Sequence, residues 1–189
     1  MLQITRPAGA KGVLFLCRDN GARSQMAEAI LNAFCGGSMR GHSAGIKPLA
    51  QIAEPVLQVI ESHGIRTQGL RPKPWGEFDG ADSENLEFVI SICDPEAGEA
   101  CAYWPGQPLR AHWHMHEPRE GADLNEYYRS LDASFDHIFR CVNGFLNLPI
   151  EVMQKFALTR NEAASPPFVP DHLRITRLPV RAFAENERE

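Results

Sequence analysis

The stretch Val13-Leu14-Phe15-Leu16-Cys17-Arg18-Asp19-Asn20-Gly21-Ala22-Arg23-Ser24-Gln25-Met26-Ala27-Glu28 constrains this chain more than any other. Its four leading apolar residues read as a short buried strand. The pattern opening near Ser24 reads as a helix with Met26, Ala27, Ile30, Leu31 and Phe34 on one face, stopped by Gly36-Gly37. Between them lies a polar loop framed by Cys17 and Arg23, a Cys-x5-Arg followed by Ser. A strand-to-helix loop gathers backbone N–H groups and the positive end of the helix dipole at one point. That point suits a tetrahedral oxyanion, and Arg23 adds a planar two-pronged donor. The expected oxyanion contacts are Arg18, Asp19, Asn20, Gly21, Ala22, Arg23 and Ser24. A cysteine placed there is expected to ionise more readily than a free thiol, which makes Cys17 a nucleophile touching the anion. Alone, the Cys-x5-Arg spacing is weak, and an inert buried Cys17 is the plain alternative. The strand before it, the helix after it and the first position in an α/β chain give it weight.

Downstream, strand and helix patterns alternate. Residues 1–10 form a loose lead-in. Met39 to Gly45 reads as a second strand, followed after Pro48 by a helix through Glu61 with Val56, Leu57 and Ile60 inward. Residues 66–86 are a Pro-, Gly- and charge-rich connection with one helical turn near Trp75–Phe78. Glu87 to Ile92 is a strand ending on Cys93, and Asp94 to Pro108 is a loop long enough to invite a functional reading. Leu109 to His116 alternates: Leu109, Ala111, Trp113 and Met115 take one face, and Arg110, His112, His114 and His116 the other, as in a half-exposed edge strand. Asp123 to Leu148 is the longest helix, with Tyr127 or Tyr128, Leu131, Phe135, Ile138, Val142 and Phe145 at helical spacing; Ile150 to Leu158 adds another. The implied fold is α/β, a four-stranded parallel sheet with helices on both faces. It occupies one domain over residues 1–160, followed by an extended tail over 161–189.

A formal net charge of −5 with scattered Lys and Arg argues against nucleic acid as a partner. No apolar run reaches the length of a membrane span, and the N-terminus lacks the apolar core of a signal peptide. The expected compartment is the cytoplasm, where thiols stay reduced. Five cysteines, at 17, 35, 93, 101 and 141, are then chemistry or core filling rather than a disulfide scaffold. Cys35 and Cys141 lie among apolar neighbours on helices and read as packing. His112, His114 and His116, with Glu117 beside them, have a spacing sterically open to zinc. An edge strand tolerates such residues without a metal, so neither a metal nor an organic cofactor is expected.

Residues Cys17 to Glu28 resemble the phosphate loop shared by low-molecular-weight protein tyrosine phosphatases and the arsenate reductases built on the same fold. Ser43-Ala44-Gly45 is similar to the family's second-strand motif. His112-Trp113-x-x-x-Glu117-Pro118 resembles the reductase His-Trp-x-x-x-Asp-Pro segment, which carries the general acid. The resemblance covers about residues 12–148. Glu117 is one methylene longer than the family Asp, and Ala22 stands where some relatives have a second loop Cys. Arg18 and Asp19 replace small residues, with Arg18 placed to offset the charge of Asp19. Cys93 and Cys101 separate the branches, because the phosphatases need one cysteine while the reductases carry a pair after the third strand. The spacing here is one residue wider than in thioredoxin-coupled reductases, and Ala102 replaces the usual Pro.

The resemblance implies an enzyme that reduces arsenate to arsenite through a thiol relay, with Cys17, Arg23, Cys93, Cys101 and Glu117 as its catalytic residues. Cys17, supported by Ser24 and with Asn20 shaping the loop, attacks arsenic while Glu117 protonates the departing oxygen. Cys93 then attacks Cys17, Cys101 attacks Cys93, and thioredoxin, glutaredoxin or a low-molecular-weight thiol reduces the resulting pair. One alternative is a phosphatase that hydrolyses phosphomonoesters through a cysteinyl-phosphate, although Ile46-Lys47-Pro48-Leu49 offers no aromatic residue to sandwich a phenyl ring. Another is a non-catalytic anion- or metal-sensing module that uses the histidine face and dimerises through the tail.

Overall fold

The computed structural model describes residues 11–78, 86–94, 96, 99, 108–119 and 123–149. Strands β1 (Lys11–Cys17), β2 (Met39–Gly45), β3 (Leu86–Cys93) and β4 (Leu109–His114) form one parallel sheet in the order β2-β1-β3-β4. A strand paired on both sides and covered on both faces needs apolar residues at every position. Accordingly Val13, Leu14, Phe15 and Leu16 of β1 are all fully buried. The register pairs Cys17 with Gly45 across β1 and β2, and Leu16 with Ser91 across β1 and β3. Cys17, Gly45 and Cys93 therefore finish at the same, carboxyl edge of the sheet, where open α/β sheets bind ligands.

The α-helices are α1 (Arg23–Phe34), α2 (Glu54–Ser62) and α3 (Leu124–Leu146), and Trp75–Phe78 is a single 3-10 turn. Helix α1 stops where expected: Gly36 and Gly37 take φ values of +58° and +82°, a left-handed conformation that glycine enters without a Cβ penalty. Helix α3 is capped by Asp123, whose carboxylate accepts the Asn125 N–H at 2.9 Å. Of the positions marked by the 3.6-residue period, Leu131, Phe135, Ile138 and Val142 are buried, while Tyr127, Tyr128 and Phe145 are half-buried.

One core joins Val13 and Phe15 of β1 and Phe88, Ile90 and Ile92 of β3 to buried residues of all three α-helices. Leu14, Leu16, Ala44, Phe78, Leu86 and Val89 form a smaller core on the other face. Among the described residues the α-helices thus share one core instead of dividing between the faces, and Phe78 of the 3-10 turn covers the opposite side. Periodicity tells which side of a helix is apolar but not which face of the sheet receives it. Helix α2 lies against α3, with the His63 ring stacked on Phe135 at 3.9 Å.

Two boundaries move for identifiable reasons. The helix expected from Pro48 begins only at Glu54, and the chain before it is tied to the loop after β1, the N–H groups of Ile46, Lys47 and Leu49 bonding the carbonyls of Cys17, Arg18 and Asp19 (3.3, 2.8 and 2.9 Å). Strand β4 ends at His114, after which the Met115 N–H bonds the Cys93 carbonyl at 2.9 Å and its side chain is buried. Ala111, expected to face inward, is exposed, since this edge strand is only partly covered. The lead-in 1–10, the helix expected over 150–158, the tail 161–189 and Cys101 lie outside the described residues.

Candidate active site

Cys17 ends β1 and is buried, and the loop after it is pinned by Asn20. Asn20 has a φ of +53°, a left-handed conformation uncommon for a non-glycine residue. Its groups are all engaged. The N–H points at Cys17 Sγ (3.1 Å), Nδ2 donates to Ser24 Oγ (2.8 Å) and Ser43 Oγ (2.9 Å), and Oδ1 accepts the Lys73 N–H (2.7 Å). Its carbonyl accepts from Gln25 Nε2 at 3.0 Å. Behind this residue Ser43 Oγ donates to Glu28 Oε2, and Lys73 Nζ donates to the same oxygen at 2.9 Å. A buried carboxylate needs a cation and donors, and here it has both. The loop is thus held by a polar network that reaches into α1, β2 and the segment after α2.

Ser24 Oγ lies 2.9 Å from Cys17 Sγ and already accepts from Asn20, which leaves its hydroxyl hydrogen for the sulfur. The expected low thiol pKa is not what the site gives: burial pushes the Cys17 thiol above its ordinary value. The Ser24 hydroxyl pulls down, Asp19 pushes further up, and Arg23 and the Asn20 N–H pull down by less, so desolvation wins.

Asp19 turns inward, where its Oδ1 accepts the Gly21 N–H at 2.9 Å and stands 3.7 Å from Cys17 Sγ. Arg18, expected to offset it, is exposed and makes no ion pair with Asp19 among the described residues. The Asn20 and Gly21 N–H groups, expected to face the anion, are directed to Cys17 and Asp19.

Arg23 opens α1 with 2% of its side chain exposed. Nη1 and Nη2 bond Glu99 Oε2 and Oε1 at 2.8 and 2.9 Å, Nη1 also bonds the Met115 carbonyl at 3.1 Å, and Glu117 Oε1 lies 3.7 Å from Nη2. Glu117 thereby stands beside Arg23. Burial raises its pKa, Arg23 opposes that, and the charges of Asp19 and Glu99 together with a hydrogen bond to Asp19 raise it further. Asp94 Oδ2 accepts the Glu117 N–H at 3.2 Å and pairs with His116 Nδ1 at 3.3 Å. A raised carboxyl pKa suits proton donation at neutral pH.

Cys93 is disulfide-bonded, whereas Cys17, Cys35 and Cys141 are free thiols. Cys141 is pushed up to about 11 by burial, and Cys35 Sγ donates to the Met39 carbonyl at 3.1 Å, as befits packing cysteines. No group of three His, Cys, Asp or Glu side chains able to hold a metal occurs among the described residues, so His112, His114 and His116 do not converge on one.

Sequence reasoning missed Glu28, Lys73, Asp94 and Glu99. Glu28 carried a readable signal, since it lies four residues after Ser24 and shares its helix face. Lys73 and Glu99 carried none, because their partners are remote in the chain.

Comparison with known proteins agrees with this geometry. The "Arsenate reductase" of Bacillus cereus strain 03BB102 is 26% identical over 140 residues, covering 69% of this chain and 92% of that protein. The crystal structure of arsenate reductase from Archaeoglobus fulgidus superposes with a TM-score of 0.54 at 27% identity, covering 69% and 98%. The thioredoxin-dependent arsenate reductase of Corynebacterium glutamicum gives a TM-score of 0.50 at 26% identity, covering 72% and 63%. The family model "Low molecular weight phosphotyrosine protein phosphatase" matches residues 12–151, a span that takes in all of the sheet but Lys11, the Cys17–Arg23 loop, Cys93 and Glu117. By that match, and by a sheet that places these groups at one carboxyl edge, this chain belongs to the low molecular weight phosphotyrosine protein phosphatase family.

Proposed function

We propose that this enzyme reduces arsenate to arsenite by a thiol relay through Cys17, Cys93 and Cys101. The observation that carries the reading is Cys93: it is disulfide-bonded at the end of β3, on the sheet edge it shares with the free thiol Cys17. The names of the B. cereus and A. fulgidus relatives support it. Arsenate binds over the loop of residues 18–23, held by Arg23 and by loop N–H groups. The Cys17 thiolate, with the Ser24 hydroxyl on its sulfur, attacks arsenic; one oxygen leaves as water with a proton from Glu117. The Cys93 thiolate then attacks the Cys17 sulfur. An S–S bond forms, the S–As bond breaks, and its electron pair reduces As(V) to As(III), released as arsenite. Cys101 attacks Cys93, freeing Cys17 and leaving a Cys93–Cys101 disulfide for an external dithiol. The C. glutamicum relative's description makes thioredoxin the first donor to try, with glutaredoxin or a low-molecular-weight thiol next. No described helix is long and apolar enough to cross a membrane, and we place the enzyme in the cytoplasm, where such donors are kept reduced.

Hydrolysis of phosphomonoesters is the second reading, since Cys17, Arg23 and Glu117 are also what it needs. The loop rim tells against it: Ile46 and Leu49, 41% and 48% exposed, are aliphatic and give an aryl ring nothing to stack on. Steady-state turnover of arsenate with thioredoxin and its reductase, set beside turnover of p-nitrophenyl phosphate, separates the two. Arsenate turnover with little phosphatase activity is expected; efficient ester hydrolysis without arsenate reduction refutes the relay.

A further inference from the structure

A guanidinium has five N–H donors, and the described contacts of Arg23 account for three. Glu99 takes one hydrogen from each of Nη1 and Nη2, end-on, and the Met115 carbonyl takes the other hydrogen of Nη1. Among the described residues the Nε–H and the second Nη2–H take no hydrogen bond, and Glu117 Oε1 stands 3.7 Å from Nη2. These two N–H groups are parallel and form the side edge of the fork, which matches two oxygens of a tetrahedral oxyanion. Glu99 is itself held in place. Its side chain is 4% exposed, its Oε2 also accepts the Asp94 N–H at 2.8 Å, and its N–H bonds the Asp94 carbonyl at 3.0 Å. That reciprocal pair ties the carboxylate to the end of β3, one residue after Cys93. Glu117, the proposed proton donor, reaches Nη2 but not Nη1 among these contacts, so among the described residues Glu99 is the side chain that bonds both ends of the fork, with the Met115 carbonyl beside it on Nη1.

We propose that Glu99 is a positioning residue of the oxyanion site: it clamps the guanidinium of Arg23 end-on, so that the Nε/Nη2 edge is the one offered to the anion. The assignment rests on reading the loop of residues 18–23 as an oxyanion cradle, and not on arsenate being the anion it meets. The edge held by Glu99 and the edge offered to the anion meet at Nη2, so the carboxylate both orients the fork and repels the anion, and the proposal is that the orientation outweighs the repulsion. Glu99 acts through Arg23 and touches no reacting atom.

Inorganic phosphate serves as the probe. Its dissociation constant is measured by protection of Cys17 from iodoacetamide, followed at the Cys17 peptide by mass spectrometry, in the full-length protein and in Glu99→Gln, Glu99→Asp and Arg23→Ala. Weakening of phosphate binding by about tenfold is expected in Glu99→Gln, the worth of one charge-assisted hydrogen bond. Partial recovery is expected in Glu99→Asp, which keeps the charge, and loss of protection in Arg23→Ala. Melting temperatures of the same preparations separate a structural role, which lowers the melting point and leaves the dissociation constant alone. If Glu99→Gln does not fold, Glu99→Asp decides by the same criterion. Unchanged or tighter phosphate binding in a folded Glu99 variant overturns the proposal. A wild-type Cys17 that neither phosphate nor arsenate protects overturns the oxyanion reading of the loop itself, a separate failure that removes the ground under Glu99 as well.

Discussion

Replacing Gly45 by Ala would set a methyl carbon 2.9 Å from the Asn20 nitrogen and 3.0 Å from both Asn20 Cβ and the Asp19 carbonyl carbon. Ordinary contact begins at 3.4 Å, so the gap between β2 and the loop would have to open by several tenths of an ångström. Neither side can give easily. Gly45 is paired with Cys17 in the sheet and its N–H bonds the Lys73 carbonyl at 2.8 Å, while Asn20 is tied at its N–H, its carbonyl and both side-chain ends. Overpacking a fixed, buried position costs about 1–3 kcal/mol, and this one belongs near the upper figure. The displacement falls on the residue whose N–H meets the Cys17 sulfur, so turnover should fall by about 10- to 100-fold even where the protein stays folded. Gly21→Ala is the control for stability: its methyl would meet Leu49 Cδ1 at 2.8 Å, the far end of an exposed side chain that can swing away, for less than about 1 kcal/mol. Urea unfolding and arsenate turnover of both variants supply the comparison. A Gly45→Ala protein as stable and as active as wild type refutes the reasoning, and so does a Gly21→Ala protein equally destabilised.

Further predictions concern the network and the titrating groups. Lys73→Met leaves the Glu28 carboxylate without its buried cation and should cost about 3 kcal/mol in urea unfolding, more than a surface lysine ever does. Ser24→Ala removes the strongest influence that lowers the Cys17 pKa, so the pH at which Cys17 becomes half-alkylated should rise further above its ordinary value. Asp19→Asn should act in the opposite sense on two groups. The Asp19 charge raises both the Cys17 thiol and the Glu117 carboxyl, so neutralising it lowers both, and both limbs of the pH profile of kcat/KM should move to lower pH. Cys141, pushed up to about 11 by burial, should alkylate more slowly at pH 8 in the folded protein than in the same protein unfolded in urea.

The elements that position the site were legible because each has a local cause. The run Val13–Leu16 has to be a central strand, Gly36-Gly37 has to end a helix, and the stripe from Leu131 to Val142 has to be a buried helix face. Cys17 and Arg23 were legible from type and spacing and Glu117 from the family resemblance, and the chain brings the three side chains together. What escaped depends on partners far apart in sequence. The Lys73–Glu28 pair spans 45 residues and Arg23–Glu99 spans 76, and neither charge announces that it is buried. The direction of the Cys17 pKa escapes the sequence for a related reason: a loop of N–H groups and an arginine argues for a thiolate, but full burial and the inward carboxylate of Asp19 reverse the balance. Adjacency suggests pairing Arg18 with Asp19, whereas Arg18 is exposed and Asp19 turns in to the Gly21 N–H.

The relay is tested most directly by a single turnover. Fully reduced protein is mixed with stoichiometric arsenate and no external donor, then quenched in acid, and its disulfides are mapped by mass spectrometry while arsenite is quantified. One arsenite per chain, a Cys93–Cys101 disulfide in wild type, and a trapped Cys17–Cys93 disulfide in Cys101→Ser are the predicted results. Arsenite formed at the same yield by Cys93→Ser, with Cys17 left unpaired to Cys93 in every variant, would contradict the account.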